Sequence, residues 1–574
     1  QGSGMIGDHF RMRRLNPRRP LPTPSARQPH GHQRLLHRRP LHQRLVIGAV
    51  AVVLAGNSLA PLRAQGVPAT PVRLPALGES ASDEFNLNQE KRIGEQIMRE
   101  IRRDPAYLDD PLLLDYLHTL WAPLVHTART MGDITADTER LFPYESFLVR
   151  DRSVNAFALP GGYVGVHLGL IAITSTPDEL ASVLAHELTH ITRHHIARSM
   201  AASSRASTLS LAGMLLGLLV AGRAGSADMA QAAIMGGQAA MVQAQLNFSR
   251  DMEREADRNG LATMAGAGFA PAGMPAMFGK LESASRLNDT GGFPYLRSHP
   301  LTVDRIGEAR QLVQAAGAAT NPPPAPLLHV LMQARARVLM DPGVQALRKL
   351  QDFDARATMV DLPLSDRLGG LYAAALASAG LREFDRAERA QRAAAALLAA
   401  SPQHDDTAAR RALAALAVQL ALARGDVQRG GDMLAAAGLA DGTRHGLLLQ
   451  AEWALADGSA PVLRSSVEAL QTWVTRWRDD ASAWQALSLA AGKLGQPLRA
   501  VRAEAEAQAS LGNLPGAIDR LRAGQQLARK AGPGTDFIEA SVIDARLRDL
   551  QAQRRQLIAD ERRAGERPRG DNGD

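Results

Sequence analysis

Between Thr176 and about Arg198 the chain reads TPDELASVLAHELTHITRHHIAR. Leu180, Val183, Leu184, Leu188 and Ile191 recur there at helical spacing, which predicts a helix with one buried face. Its start is marked by Thr176 as N-cap, Pro177 at the first helical position and Glu179 closing a Thr-x-x-Glu capping box. Glu84 to Arg103 and Pro111 to Val125 carry the same amphipathic period and predict helices packed beneath this one. The pattern changes between them. A strand begins at Phe147, and Val154 to Ile171 holds two β-rich runs joined at Pro160-Gly161-Gly162, a hairpin or bent strand pair. Residues 200–246 are rich in Ala, Gly, Met and Gln and predict helices with loosely specified packing, Leu209–Val220 being the most apolar stretch. A further helix starts near Phe248, and another near Val303.

Asn321-Pro322-Pro323-Pro324-Ala325-Pro326 is a Pro-rich linker. Beyond it the chain is Ala-, Leu- and Arg-rich and nearly all helical. Gly380, Gly425, Gly458 and Gly495 punctuate that half as turn glycines between helix pairs. The unit from Leu371 to Ala387, ending at Pro402, is similar to a degenerate tetratricopeptide repeat, whose period is about 34 residues. Stacked repeats build a curved surface for protein or peptide. An ordinary helical bundle is the competing reading, because the glycine spacing is irregular. Trp453, Trp473, Trp477 and Trp484 fall here and are expected in the core.

Charge changes the picture only at the N-terminus. The formal net charge is +8, but residues 1–64 hold 11 Arg against one Asp, so the remainder is close to neutral. The basic balance therefore gives no reason to expect nucleic acid as a partner. Leu45–Leu54 is a short apolar run after Arg44, too short for a comfortable membrane span. With the small residues around Ala64 it reads as a secretory signal peptide with a long basic front, an uncleaved anchor being the alternative. Either reading predicts export, and an anchored form would bring peripheral membrane contact. There is no cysteine, which excludes disulfides, thiolate metal sites and cysteine nucleophiles.

The first helix carries His186-Glu187-Leu188-Thr189-His190. Two imidazoles four residues apart project from one helix face and can share a zinc ion, with Glu187 placed to take a proton from water. A catalytic zinc needs a third protein ligand and an open position. The helix after Phe248 offers Glu253 and Asp257 on one face, with Glu255 pointing nearly the other way. Glu253 is the expected third ligand, and Asp257 the acceptor that orients a ligating imidazole. His299, beside Pro300 and after Gly291-Gly292, has three readings: it fills the fourth position and makes the enzyme latent, it hydrogen-bonds the reacting carbonyl oxygen, or it caps the next helix. Latency is the favoured one. The hairpin's Asn155, Ala156 and Phe157 are the candidate substrate contacts, a peptide adding to a free edge by main-chain pairing; a wholly internal hairpin is the alternative.

His-Glu-x-x-His followed by Glu253-Arg254-Glu255-Ala256-Asp257 resembles the gluzincin family of the CAAX prenyl proteases and the bacterial heat-shock membrane proteases. Leu77-Gly78-Glu79-Ser80, Asn155 to Gly162 and Ser298 to Thr302 resemble its soluble periplasmic branch, which carries a tetratricopeptide tail. The resemblance implies a mainly α (α+β) fold: a zincin-like metallopeptidase domain with a small β-sheet, then an α-helical repeat solenoid. It implies one Zn2+ per chain on His186, His190 and Glu253, with Glu187 as base. It also implies a periplasmic endopeptidase degrading misfolded or misassembled outer-membrane proteins, its repeats engaging the envelope assembly machinery. A chaperone or assembly scaffold with weak or latent proteolysis is the alternative. The expected organisation is 1–64 leader and signal peptide, 65–318 metallopeptidase domain, 319–326 linker, 327–560 repeats and 561–574 charged, disordered tail.

Overall fold

The computed structural model describes residues 87–202, 250–287, 294–317, 319, 325–357, 361–531 and 536–565. The leader and signal segment, Leu77 to Ser80, Leu209–Val220 with its flanks, Gly291-Gly292, most of the Pro-rich linker and residues 566–574 lie outside the described residues.

The first half holds a four-stranded sheet and the helices that enclose it. Leu87–Ile101 (α1) leads to Tyr107–Leu108 (β1), then to Pro111–Thr130 (α2) and the short Ala136–Leu141 (α3). Glu145–Val149 (β2), Ala156–Leu159 (β3) and Tyr163–His167 (β4) complete the sheet in the order β1-β2-β4-β3. The β3 and β4 strands form the expected hairpin, antiparallel with Phe157 opposite Gly165, while β2 and β4 run parallel with Leu148 opposite Val166. Gly161 and Gly162 make the turn at positive φ, 76° and 95°, where a Cβ would be strained. The turn is clamped from outside. A Cβ on Gly94 of α1 would lie 1.9 Å from the Pro160 carbonyl oxygen, so only glycine lets α1 cross there.

Leu168–Ile173 (α4) follows, then Pro177–Thr192 (α5) and His195–Ala202 (α6). The α5 start is capped as its sequence predicts, with the Thr176 hydroxyl accepting from Glu179 N at 3.3 Å. The Glu179 carboxylate reaches one residue further back than a capping box requires, to Ser175 N at 2.5 Å. Two features differ from the sequence reading. The helix stops at Thr192, because His194 takes φ 52° and α6 restarts at a new angle. And α5 is buried on all sides from Asp178 to Ile191, since α2, the sheet and two later helices surround it. Those helices are Arg250–Gly266 (α7) and Gly273–Leu287 (α8); the short Pro294–Ser298 (α9) and Val303–Ala315 (α10) follow.

The second half is helical throughout its described residues. Leu327–Leu339 (α11), Val344–Gln351 (α12), Phe353–Ala357 (α13), Leu364–Gly380 (α14), Phe384–Ala399 (α15) and Thr407–Arg424 (α16) come first. Val427–Ala436 (α17), Arg444–Asp457 (α18), Ala460–Arg476 (α19), Ala481–Lys493 (α20), Pro497–Ser510 (α21), Leu514–Ala531 (α22) and Phe537–Gly565 (α23) complete it. Successive helices from α14 onward pack on one another. Gly425 and Gly458 close α16 and α18 in the left-handed conformation, and Gly495 has φ 70°. Gly380 is instead the last helical residue of α14, and the positive φ falls on Arg382. Among the tryptophans Trp484 is buried, but Trp477 is 48% exposed, contrary to the core placement expected for it. The last helix runs past Glu561 to Gly565, into the stretch expected to be disordered.

The two halves share one apolar cluster. Leu113, Trp121 and Leu124 of α2, Leu184 and Leu188 of α5, Leu331 and Met332 of α11, Tyr372 of α14 and Leu416 of α16 all belong to it. Polar contacts sew the same seam. Arg335 of α11 donates twice to Asp110, the N-cap of α2, at 2.7 Å each, and His329 Nε2 stands 3.0 Å from Thr174 O at the end of α4. Arg444 of α18 bridges Asp109 and Asp480. No helix among the described residues is long and apolar enough to cross a membrane.

Candidate metal centre

His186 and His190 lie one turn apart on α5, both buried, with Nε2 atoms 3.0 Å from each other. The α7 helix packs across α5 closely enough that a Cβ on Gly260 would approach the His186 backbone at 3.1 Å. That crossing delivers Glu253, whose Oε1 is 3.5 Å from His190 Nε2 and whose Oε2 is 3.6 Å from His186 Nε2. His299, at the end of α9, closes the group: its Nδ1 is 3.2 Å from His186 Nε2 and 3.0 Å from Glu253 Oε1. Of the sequence candidates, the fold therefore brings His186, His190, Glu253 and His299 together, one donor atom from each lying within 4.8 Å of the others.

The set fits a divalent metal ion. Four ligands bound tetrahedrally at about 2.0–2.1 Å stand about 3.3 Å apart, close to the separations found here. The charges point the same way. Burial alone would lower His186, but the Asp257 and Glu253 carboxylates outweigh it and push it up to about 10. Burial, then His186 and His299, holds His190 well below its ordinary value. Burial opposes ionisation of Glu253, yet His299 and His186 keep its carboxyl well below the usual range. The imidazoles and the carboxylate are thus strongly coupled, and their lone pairs converge on one point.

Each donor is held from behind. His186 Nδ1 is 3.0 Å from Asp257 Oδ1, the orienting contact expected of Asp257. Arg305 of α10, buried to 3% exposure, donates to both Asp257 oxygens and comes within 2.7 Å of Glu253 Oε2. Tyr295 of α9 stacks on His299 with ring centroids 4.7 Å apart. Neither Arg305 nor Tyr295 is singled out by the sequence reading. Their signal is proximity in sequence to His299, which gains meaning only once α9 and α10 are seen against α7.

Glu187 faces the cluster from the sheet side. Its Oε2 accepts from Ala158 N at 2.9 Å, while Oε1 is buried with no hydrogen-bond partner among the described residues, 3.4 Å from His299 Nε2. Burial pushes its carboxyl above the ordinary range, against the pull of His299 and His186. A fully buried carboxylate with a vacant lone-pair face toward a metal cluster is suited to accept a proton there. The hairpin approaches through β3, an edge strand of the sheet. Asn155 O accepts from His167 N, so the backbone groups of Ala156 and Ala158 point away from β4; Ala156, a candidate substrate contact, is fully buried there. Ala158, absent from the sequence candidates, is thus the strand residue that touches Glu187. Phe157 turns its ring to the opposite face, over Gly165 and against Phe147, and does not reach the cluster. Asn155 Oδ1 is buried without a hydrogen-bond partner among the described residues.

Residues 128–313 match peptidase family M48, a stretch that contains the whole cluster. A Vibrio cholerae protein is 36% identical over 322 residues, covering 55% of this chain and 62% of that protein. The beta-barrel assembly-enhancing protease of Escherichia coli is 32% identical over 272 residues, 47% of this chain and 52% of its own length. That of Yersinia pestis is 34% identical over 260 residues, 45% and 51% respectively. The matches thus span about half to three fifths of the length of these relatives.

Proposed function

We propose that this chain, which holds an M48 peptidase domain at residues 128–313, is a zinc-dependent endopeptidase of the periplasm that acts on misfolded or misassembled outer-membrane proteins. The observation that carries the reading is the convergence of His186, His190, Glu253 and His299 beside the unpartnered Oε1 of Glu187. His186, His190 and Glu253 are the resident ligands in this reading. Zinc held by them would supply Lewis acidity, making water easier to deprotonate and a peptide carbonyl easier to attack. Glu187 receives the proton of the attacking water at Oε1 and passes it to the departing amine. Its Oε2, tied to Ala158 N, keeps the carboxylate aimed while Oε1 works. A substrate strand lies along the β3 edge toward that base, which requires the fully buried Ala156 to be uncovered first. His299, gathered among the ligands, occupies the position that water needs and gives a shut form.

The envelope setting rests on the relatives named as beta-barrel assembly-enhancing proteases and on the leader's signal-peptide pattern. The helix pairs from α14 to α22 support reading the second half as tetratricopeptide-like repeats that engage the assembly machinery. The test is casein degradation with metal analysis of the full chain and its Glu187→Gln variant. The variant should keep its zinc and lose at least about 100-fold in rate, the usual worth of a general base. Cleavage by the variant at the wild-type rate would sink the reading.

A further inference from the structure

His190 offers Nε2 to the cluster, and its Nδ1 points to another imidazole. His195 Nδ1 lies 2.9 Å from His190 Nδ1, and His195 Nε2 lies 3.1 Å from Glu255 Oε2. In an uninterrupted helix His195 would stand five residues on, about 140° around the axis from His190, and the two rings would not meet. They meet because α5 ends at Thr192 and His194 turns the chain at φ 52° before α6 begins. His190 and His195 are both 0% exposed, so water does not compete for these contacts. Glu255 is held in turn by Arg198 Nη1 at 3.4 Å and Arg193 Nε at 3.6 Å.

The hydrogen positions follow from donor and acceptor count. A ligating His190 needs the Nε2 lone pair free, which puts its proton on Nδ1. That N–H donates to His195 Nδ1, which therefore carries its own proton on Nε2 and donates to Glu255. We infer that Glu255 and His195 form a chain of positioning residues that fixes the tautomer and ring angle of His190, as Asp257 does for His186. This inference rests on His190 being a metal ligand. The α7 helix then supplies a ligand, Glu253, and the carboxylates behind both histidines, Asp257 and Glu255. Partners of this kind commonly carry 10- to 100-fold in metal affinity.

The test measures Zn2+ affinity of the full chain by competition with a chelating indicator, with no activity assay involved. His195→Phe keeps the ring volume and removes the acceptor; its dissociation constant should rise about 10- to 100-fold. His195→Asn places an amide oxygen where Nδ1 stands and should recover most of that loss. Far-ultraviolet circular dichroism of the metal-free proteins checks that each variant is folded. Wild-type affinity in His195→Phe overturns the inference. Equal loss in the Asn and Phe variants also overturns it, since the role would then be packing alone. A wild-type chain that takes up no Zn2+ would remove the metal reading itself, and this inference with it.

Discussion

His299 and Glu187 occupy one buried space, and their chemistry conflicts. Glu187 needs a water between itself and a carbonyl, whereas His299 Nε2 already stands 3.4 Å from Glu187 Oε1 and its Nδ1 sits among the ligands. In the proposed shut form His299 joins the ligand set and keeps the site closed. His299→Ala should therefore raise basal casein degradation while zinc content stays at one per chain. If the shut form holds nine-tenths of the molecules, the rise is about tenfold. A fall in rate would assign His299 to stabilising the reacting carbonyl instead. At this scale the pairing of His186 with His190 is legible because residues four apart share a helix face, while the approach of Glu253 from another helix is not. By the same helical spacing Glu255 points away from Glu253. Spacing does not reveal that His195 waits on that other side.

Among the elements, the hairpin and α5 were the most legible. Their boundaries are written in Thr176-Pro177 and in Pro160-Gly161-Gly162, local signals that act through backbone geometry. Gly94 was not legible, because an isolated glycine in a helix has no local meaning. Its role is the contact with Pro160, which fixes how α1 lies against the hairpin that carries Ala158 to Glu187. Gly94→Ala improves helix propensity by about 1 kcal/mol in isolation. The clash at 1.9 Å with backbone oxygen outweighs that gain, because neither the turn nor α1 can yield as a side-chain tip would. The variant should be destabilised by about 1–3 kcal/mol, the usual cost of overpacking, seen as a lower melting temperature. An unchanged or raised melting temperature would show that α1 does not hold the turn this tightly.

For the whole molecule, the seam between the halves carries its own pH dependence. His445 of α18 is buried, its backbone N donates to Asp115 of α2, and its Nε2 has no hydrogen-bond partner among the described residues. Burial, then the nearby Arg335, lowers its pKa to about 4. The unfolded chain takes up a proton on this histidine near its ordinary 6.5, and the folded chain resists until about 4. Its share of stability is thus complete above about pH 6.5 and is lost as pH falls toward 4. The loss is on the order of 3 kcal/mol by pH 4. His445→Leu should show a smaller fall in urea midpoint between about pH 7 and pH 4.5 than the wild type. Equal falls in both proteins would remove His445 from the account.

The sequence by itself determined the local chemistry: which helix presents two imidazoles and a carboxylate, where that helix starts, and where a hairpin turns. Those outcomes depend on residues within one or two turns of each other. The tertiary structure decided what comes from afar. It put Ala158 rather than Phe157 against Glu187, since only the sheet order makes β3 an edge. It stopped α5 at Thr192 and swung His195 back to His190. It ran one apolar core from α2 through α11 to α16, across the Pro-rich stretch that reads as a boundary. Composition marks that stretch as a break in the chain. Whether the two sides separate depends on the apolar area each buries on the other, and that area belongs to faces no single segment can show.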